Sequence, residues 1–211
     1  MDKYKTTVAT FNKLAERYQD KYMNFESYID TYDDFCELVS KASAKIFEIG
    51  CGPGNISQYI LQKRPDYQLY GIDLAPNMVA LAKKNNPGAV FDVMDSRSIS
   101  QVQGTFDALL CGFCTPYLSA EDVTTLIKDA RQRLVPGGIF YLSTMEGDEQ
   151  HSGYQTSSAG DQVFIHYHQE NAIVDALQSN QFEVISVKRK QFTIDKDAAN
   201  TTDMFIYARA I

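Results

Sequence analysis

The stretch that decides the fold runs from Ile46 to Ser57 and reads I-F-E-I-G-C-G-P-G-N-I-S. Lys45 to Ile49 reads as a short buried strand. Gly50, Gly52 and Gly54 alternate behind it, and from Ile56 an apolar spacing suited to a helix begins with Ile56 and Ile60. The glycines therefore form a turn from strand into helix. Glycine opens backbone angles closed to other residues and lets a ligand come close to the main chain. The helix that follows offers free N–H groups and the positive end of its dipole. A nucleotide-type cofactor site has this local geometry.

A dinucleotide-binding turn reads G-x-G-x-x-G. Here the pattern is G-x-G-x-G, with Asn55 in the sixth place and Glu48 two residues before the first glycine. E-x-G-x-G-x-G after a first strand resembles the class I S-adenosylmethionine-dependent methyltransferases. The order of the later segments strengthens the resemblance.

Beyond the glycine turn, strand and helix alternate. A helix is expected over 55–63, and Pro65-Asp66 breaks it. Gln68–Ile72 reads as a second strand ending at Asp73. Pro76 sits where a helix tolerates proline, in its first turn, and Met78, Leu81 and Ala82 line that helix. Pro87-Gly88 stops it. Ala89–Val93 and Phe106–Leu110 read as third and fourth strands. Ser119-Ala120-Glu121-Asp122 has capping-box form, and the helix behind it buries Val123, Leu126, Ile127, Ala130 and Leu134. Pro136-Gly137-Gly138 turns into a fifth strand, Ile139–Thr144. Such alternation predicts a parallel, doubly wound sheet of α/β class.

Residues 146–168 interrupt the pattern. A polar loop with one extended piece at Val163–His166 is expected there, at the carboxyl edge of the sheet where ligands bind. A helix follows over Glu170–Ser179, with Asn180 as a left-handed stop. Then come two strands, Phe182–Gln191 and Met204–Ala210. Asp195–Asp203 between them is too short for a helical crossover, so the pair is expected to be antiparallel. The resemblance implies a Rossmann-like seven-stranded sheet in the order 3-2-1-4-5-7-6 with the last strand antiparallel.

Upstream of the turn, Phe11, Leu14, Ala15, Tyr18 and Tyr22 recur at helical spacing, and so do Phe25, Tyr28, Ile29, Tyr32, Cys36 and Val39. Two amphipathic helices follow, rich in tyrosine. They either pack on the main domain with hydroxyls reaching water or cover the site as a lid. The resemblance favours the lid, with Arg17, Tyr18 and Tyr22 as candidates to touch the cofactor's methionine end or the substrate. A single domain over 1–211 is expected: a helical lid segment over 1–40, then a core over 41–211 carrying the 146–168 insertion.

Asp73 lies about 20 residues past the glycine turn, where a carboxylate accepts both hydroxyls of a ribose; its other available role is to cap the following helix. The resemblance implies further roles. Asp95 and Ser96, after F-D-V-M, take the adenine ring, although Met94 stands where glycine is common. Leu74 and Met78 pack on the adenosine. Main-chain groups from Cys111 to Phe113 meet the methionine end, and Glu48 holds its amino group beside Gly50, Cys51 and Gly52. The plain alternative for Asp95-Ser96 is a turn-forming pair. Leu134-Val135-Pro136-Gly137-Gly138 matches the family's turn before the fifth strand.

The cofactor is thus expected to be S-adenosyl-L-methionine, with S-adenosyl-L-homocysteine as product. Its sulfonium methyl is already electrophilic, so alignment of the acceptor is the main task. A base is needed only if the acceptor must lose a proton. His151, His166 and His168 all lie in or beside the insertion; His151, His166 and Tyr18 are candidates without distinguishing spacing. An NAD-dependent oxidoreductase shares the strand, the turn and Asp73. It requires a glycine at position 55 and a crossover helix before the last strand, and the sequence has neither. A non-catalytic S-adenosylmethionine-binding protein is the other alternative.

The chain has 211 residues, is 44% hydrophobic and carries a formal net charge of -7, which suits one domain with a sizeable core. Lys188-Arg189-Lys190 is the one basic run, so nucleic acid is not expected as a partner and a small-molecule substrate is. No stretch of about 18 apolar residues exists, so no membrane partner is expected. Cys36, Cys51, Cys111 and Cys114 do not resemble a secreted disulfide framework. The cytoplasm is the expected location, for a monomer or homodimer. Cys111-Gly112-Phe113-Cys114 has C-x-x-C form, but no second pair exists to complete a zinc site, so no metal is expected.

Overall fold

A computed structural model describes residues 3–192 and 201–211 of the chain. Strand β1 (Lys45–Ile49) buries four of its five residues, as a central parallel strand covered on both faces must. Helix α4 (Asn55–Lys63) returns to β2 (Gln68–Asp73), and α5 (Pro76–Asn85), with proline in its first turn, leads to β3 (Val90–Val93). Then come β4 (Phe106–Gly112), α6 (Ala120–Arg133) and β5 (Leu134–Glu146). Ser119 caps α6 as its motif predicts, its Oγ accepting from the Asp122 N–H at 3.2 Å. An antiparallel hairpin, β6 (Gly153–Thr156) and β7 (Gln162–Ile165), fills the insertion. Helix α7 (Glu170–Ser179) then leads to β8 (Phe182–Phe192) and β9 (Thr201–Ala210).

The main sheet has the order β3-β2-β1-β4-β5-β9-β8. Neighbours run parallel as far as β5, and β9 is antiparallel to both β5 and β8. With the separate hairpin set aside, this is the expected seven-stranded order. Side chains alternate across the sheet. Ile46, Ala108, Leu110 and Tyr141 face α3 (Ile29–Leu38), α4 and α5. Phe47, Leu109, Phe140 and Leu142 face α6 and α7.

Four local expectations are corrected. The fifth strand begins at Leu134, not Ile139, because Pro136-Gly137 is absorbed as an irregularity: Phe106 pairs with Leu134 and Ala108 with Ile139. The insertion holds two strands. The first, with Tyr154, Gln155 and Thr156 exposed, has no apolar alternation to announce it. Asn180 is not left-handed; Gln181 takes that conformation, with φ 62°, and Asn180 instead donates its side-chain amide to the Ala176 carbonyl. The N-terminal pair of helices is three, α1 (Lys3–Lys13), α2 (Ala15–Tyr22) and α3. Most of the 195–203 connection lies outside the described residues.

Helices α1 and α3 differ in what they pack against. Phe35 of α3 is fully buried and Tyr32 and Cys36 nearly so, in the core beneath β1 and β5. Helix α1 lies across the carboxyl edge of the sheet, stitched on both sides. Asn12 accepts from the Asn77 N–H at 2.8 Å on α5. On the hairpin side, Thr7 Oγ1 accepts from the Phe164 N–H at 3.0 Å, and Thr10 donates to the Gln162 carbonyl at 2.7 Å.

Candidate active site

The glycine turn hangs from the neighbouring strand: the N–H groups of Gly50 and Cys51 both donate to the Ile72 carbonyl, at 2.8 and 2.9 Å. Gly54 opens α4 with φ 80°, and a β-carbon there would meet Asn86 at 2.4 Å. Glycine is required at that position by conformation and by packing. Gly52 differs: a β-carbon there would find nothing nearer than Tyr18 at 3.9 Å. Its open side faces the cavity, as close approach of a ligand to the main chain requires.

The cavity has about 840 Å³ of free space counting its open mouth. Its floor comes from the ends of β1, β2 and β4, through Gly50, Gly52, Asp73, Leu74, Gly112 and Phe113. Met78 comes from α5, and Asp95 and Ser96 from the segment after β3. Its roof comes from Tyr4, Thr7, Val8 and Phe11 of α1 with Tyr18 of α2. Nine expected site residues thus meet in one place: Tyr18, Gly50, Gly52, Asp73, Leu74, Met78, Asp95, Ser96 and Phe113.

The acidic groups are held differently. Asp73 accepts from the Gly52 N–H at 2.9 Å and the Ala75 N–H at 2.8 Å, so it braces the turn and the start of α5 while facing the cavity. Burial raises its carboxyl above the usual range, and the N–H groups oppose that. Asp95 accepts from the Arg97 N–H at 2.9 Å and pairs with its guanidinium at 2.6 Å. Burial pushes this carboxyl up, but Arg97 outweighs burial and holds it below the usual range. Asp95 thus makes the turn weighed from sequence, capping the short 3₁₀ segment behind it, whereas the expected cap on the following helix is not made by Asp73: Ala75 holds that position and no side chain caps it.

Glu48 is buried behind the turn and does not line the cavity. Ser57 Oγ donates to its Oε2, while Oε1 has no partner among the described residues. Burial pushes the carboxyl up to about 8. An unpaired buried carboxylate oxygen beside a glycine turn suits an ammonium group. Cys51 and Cys111 are also buried and off the cavity surface; Cys114 lines it in place of Cys111 and is hydrogen-bonded to the Cys111 thiol.

The remaining candidates fall elsewhere. Arg17 is exposed, and neither it nor Tyr22 lines the cavity, although the Tyr22 ring packs on Tyr18 at 4.5 Å. His151 is exposed on the far side of the insertion turn. His166 is buried off the cavity, with no described partner on either ring nitrogen, and burial pushes it down to about 4. His168 donates from Nε2 to the Thr115 carbonyl at 3.0 Å.

Sequence reasoning missed Tyr4, Thr7, Val8, Arg97 and Tyr117. A signal existed for three of them: positions 4, 7, 8 and 11 share one helical face. Arg97 and Tyr117 lie in short 3₁₀ turns, whose side-chain direction no periodicity announces.

Residues 46–138 match the family described as a methyltransferase domain. A tRNA N(3)-methylcytidine methyltransferase of Schizosaccharomyces pombe is 23% identical over 222 residues, covering 95% of this chain and 90% of that protein. A trans-aconitate 2-methyltransferase of Methylobacterium nodulans is 27% identical over 111 residues, 53% of this chain and 42% of that protein. Among solved structures, the magnesium protoporphyrin IX methyltransferase of Synechocystis with bound S-adenosylmethionine superposes with a TM-score of 0.75 at 16% identity, over 100% of this chain and 98% of that one. Fold and cavity, with the methyltransferase-domain match over residues 46–138, agree with the class I S-adenosylmethionine-dependent methyltransferases. The matched region is a methyltransferase domain, and the Synechocystis structure of like fold holds S-adenosylmethionine.

Proposed function

We propose that this methyltransferase acts on a small-molecule acceptor bound under the roof made by α1 and α2. The observation that carries the reading is that roof: two N-terminal helices, pinned to α5 and to the hairpin, cover the edge of the sheet where the glycine turn ends. A polynucleotide would have to displace them. The charge distribution supports the same reading. Lys188 pairs with Asp34 at 2.5 Å, Arg189 with Glu146 at 2.6 Å and Lys190 with Asp30, so the one basic run of the sequence is neutralised within the fold.

In this reading the chain is one domain with an N-terminal lid. Asp73 takes the ribose hydroxyls, Asp95 and Ser96 the adenine ring, and Leu74 and Met78 the adenosine faces. Main-chain groups of Gly50, Gly52 and Phe113, with the Glu48 carboxyl behind Cys51, take the amino-acid end. The cofactor supplies an electrophilic methyl group; the chain orients it, excludes water and aligns the acceptor.

The fission yeast relative, which spans nearly the whole chain, favours a second reading with tRNA as acceptor. One experiment separates them: uptake of labelled methyl from S-adenosylmethionine into a small-metabolite extract and into bulk tRNA, side by side. Label in the small-molecule fraction alone is expected. Label in tRNA alone overturns the reading.

A further inference from the structure

Resting on that small-molecule reading, we infer that the acceptor atom is an uncharged amine nitrogen, seated among Phe11, Tyr18, Phe113 and Tyr117. Three observations converge on it.

The first is that no described group lining the cavity is placed to take a proton. His166 and His168 lie off the cavity surface and His151 is exposed. The carboxylate of Asp73 is held by two N–H groups and that of Asp95 by Arg97. The thiol of Cys114 is bonded to Cys111. Burial keeps the phenols of Tyr18 and Tyr117 protonated. A hydroxyl acceptor needs a base in the transition state, and an amine with a free lone pair does not.

The second is the lack of a counter-charge for an anion. Arg97 is the one cationic side chain lining the cavity among the described residues, and both carboxylate oxygens of Asp95 hold it. A carboxylate acceptor would enter an apolar, aromatic site unpaired, which costs heavily.

The third is what the walls offer instead. Phe11 packs edge-on against Tyr117 at 4.8 Å and Tyr18 at 5.9 Å. Phe113 holds a left-handed φ of 53°, strain that a non-glycine residue keeps only when its surroundings impose it. Its N–H donates to Ser143 Oγ at 3.0 Å, and Tyr28 and Phe205 hold its ring. Aromatic faces stabilise a cation once the methyl has transferred. No described residue hydrogen-bonds the hydroxyls of Tyr18 or Tyr117, and an amine N–H supplies a partner that a thioether lacks.

In the step itself the nitrogen lone pair forms the N–C bond and the C–S bond breaks. The electron pair of that bond stays on the sulfur of S-adenosylhomocysteine. The nitrogen becomes positively charged and loses its proton to water after release.

The test uses probes alike in shape and different in nucleophile: benzylamine, benzoate, 4-methylphenol and benzyl methyl sulfide. Calorimetry on the S-adenosylhomocysteine complex of the full chain, run at a pH where the amine is uncharged, should find benzylamine bound at least about tenfold more tightly than the other three, the scale of one buried hydrogen bond to a tyrosine hydroxyl. Equal affinities, undetectable binding of all four, or a reversed order overturns the inference. Labelled methyl should enter benzylamine, with kcat/KM rising with pH up to the amine's own pKa and level above it. Substituting a less basic ring-fluorinated benzylamine should move that break downward. A break that stays in place reports an enzyme base and overturns the inference. Tyr117→Phe should lower kcat/KM for benzylamine while S-adenosylhomocysteine affinity holds. Methyl entering benzoate or 4-methylphenol instead sinks the amine assignment but keeps the small-molecule reading. Methyl entering tRNA alone sinks both.

Discussion

Glu48 is the residue whose chemistry the fold alters most visibly. It sits in a buried central strand with one oxygen on Ser57 and the other unpaired. Its carboxyl is raised from an ordinary value of 4.5 to about 8. A raised folded-state pKa means that the protonated form is favoured by folding. That contribution is full below about 4.5 and is lost as pH rises through about 8. Thermal melts of the ligand-free protein should therefore fall in midpoint across that window, and Glu48→Gln should flatten the slope. Equal slopes for the two proteins would show that Glu48 stays ionised in the fold. Asp73 offers a second residue-scale prediction. Asp73→Ala removes the proposed ribose acceptor and the brace on the Gly52 N–H together, and cofactor affinity should drop by more than about tenfold, or about 1.4 kcal/mol. Unchanged affinity by calorimetry would remove the ribose role.

Among the elements, α1 carries the largest functional load for its size. It supplies four cavity residues, and it packs on the small cluster of Ala15, Ala75 and Met78 through Val8 and Phe11 and on the main cluster through Tyr4. Tyr4 ties it down beside Asp95: the hydroxyl donates to Asp122, and the Arg97 guanidinium, paired with Asp95, lies 4.2 Å from the ring centre. Helix α3 belongs to the core through Phe35, so removing everything up to Val39 would open the main cluster. A truncation that stops at residue 24 keeps α3. It should retain a cooperative melt and native far-ultraviolet dichroism while losing turnover. Full turnover would return α1 and α2 to a packing role. The same scale locates the C-x-x-C pair. Cys111 and Cys114 end β4, with Cys114 against Gly50, where a β-carbon would lie 2.8 Å away. The serine pair at both positions should bind S-adenosylmethionine with affinity within about threefold of the parent, a fraction of a kcal/mol. Complete loss of methyl transfer with binding intact would point to a thiol in the mechanism.

At the scale of the whole molecule the charge is -7 and the basic run is spent on internal ion pairs. No helix among the described residues is long and apolar enough to cross a membrane. Methyl transfer to a small acceptor should vary little between low and physiological salt, because surface charges do not steer an uncharged ligand. Rates falling steeply with salt, together with retention of tRNA on filters at low salt, would point to a polyanion. Parallel calorimetry with S-adenosylmethionine and NADH should give binding of the first alone. That difference follows from a turn that lacks the third dinucleotide glycine at Asn55 and from an antiparallel β9.

The sequence by itself determined the sheet, the glycine turn and the carboxylates around it. Those features rest on local signals: buried strands of five to seven residues at β1 and β4, proline at Pro76, the cap at Ser119 and glycines where φ is positive. Helix bounds at α4 and α7 followed from periodicity for the same reason. Tertiary structure alone decided which side chains face the cavity. It turned Cys111 inward and Cys114 outward, buried His166 away from the cavity, and gave Asp95 its partner in Arg97. It divided the tyrosine-rich N-terminal segment into a roof and a core helix. Each of these depends on contacts between residues far apart in the chain, and periodicity along a helix or strand says nothing about what lies across from it.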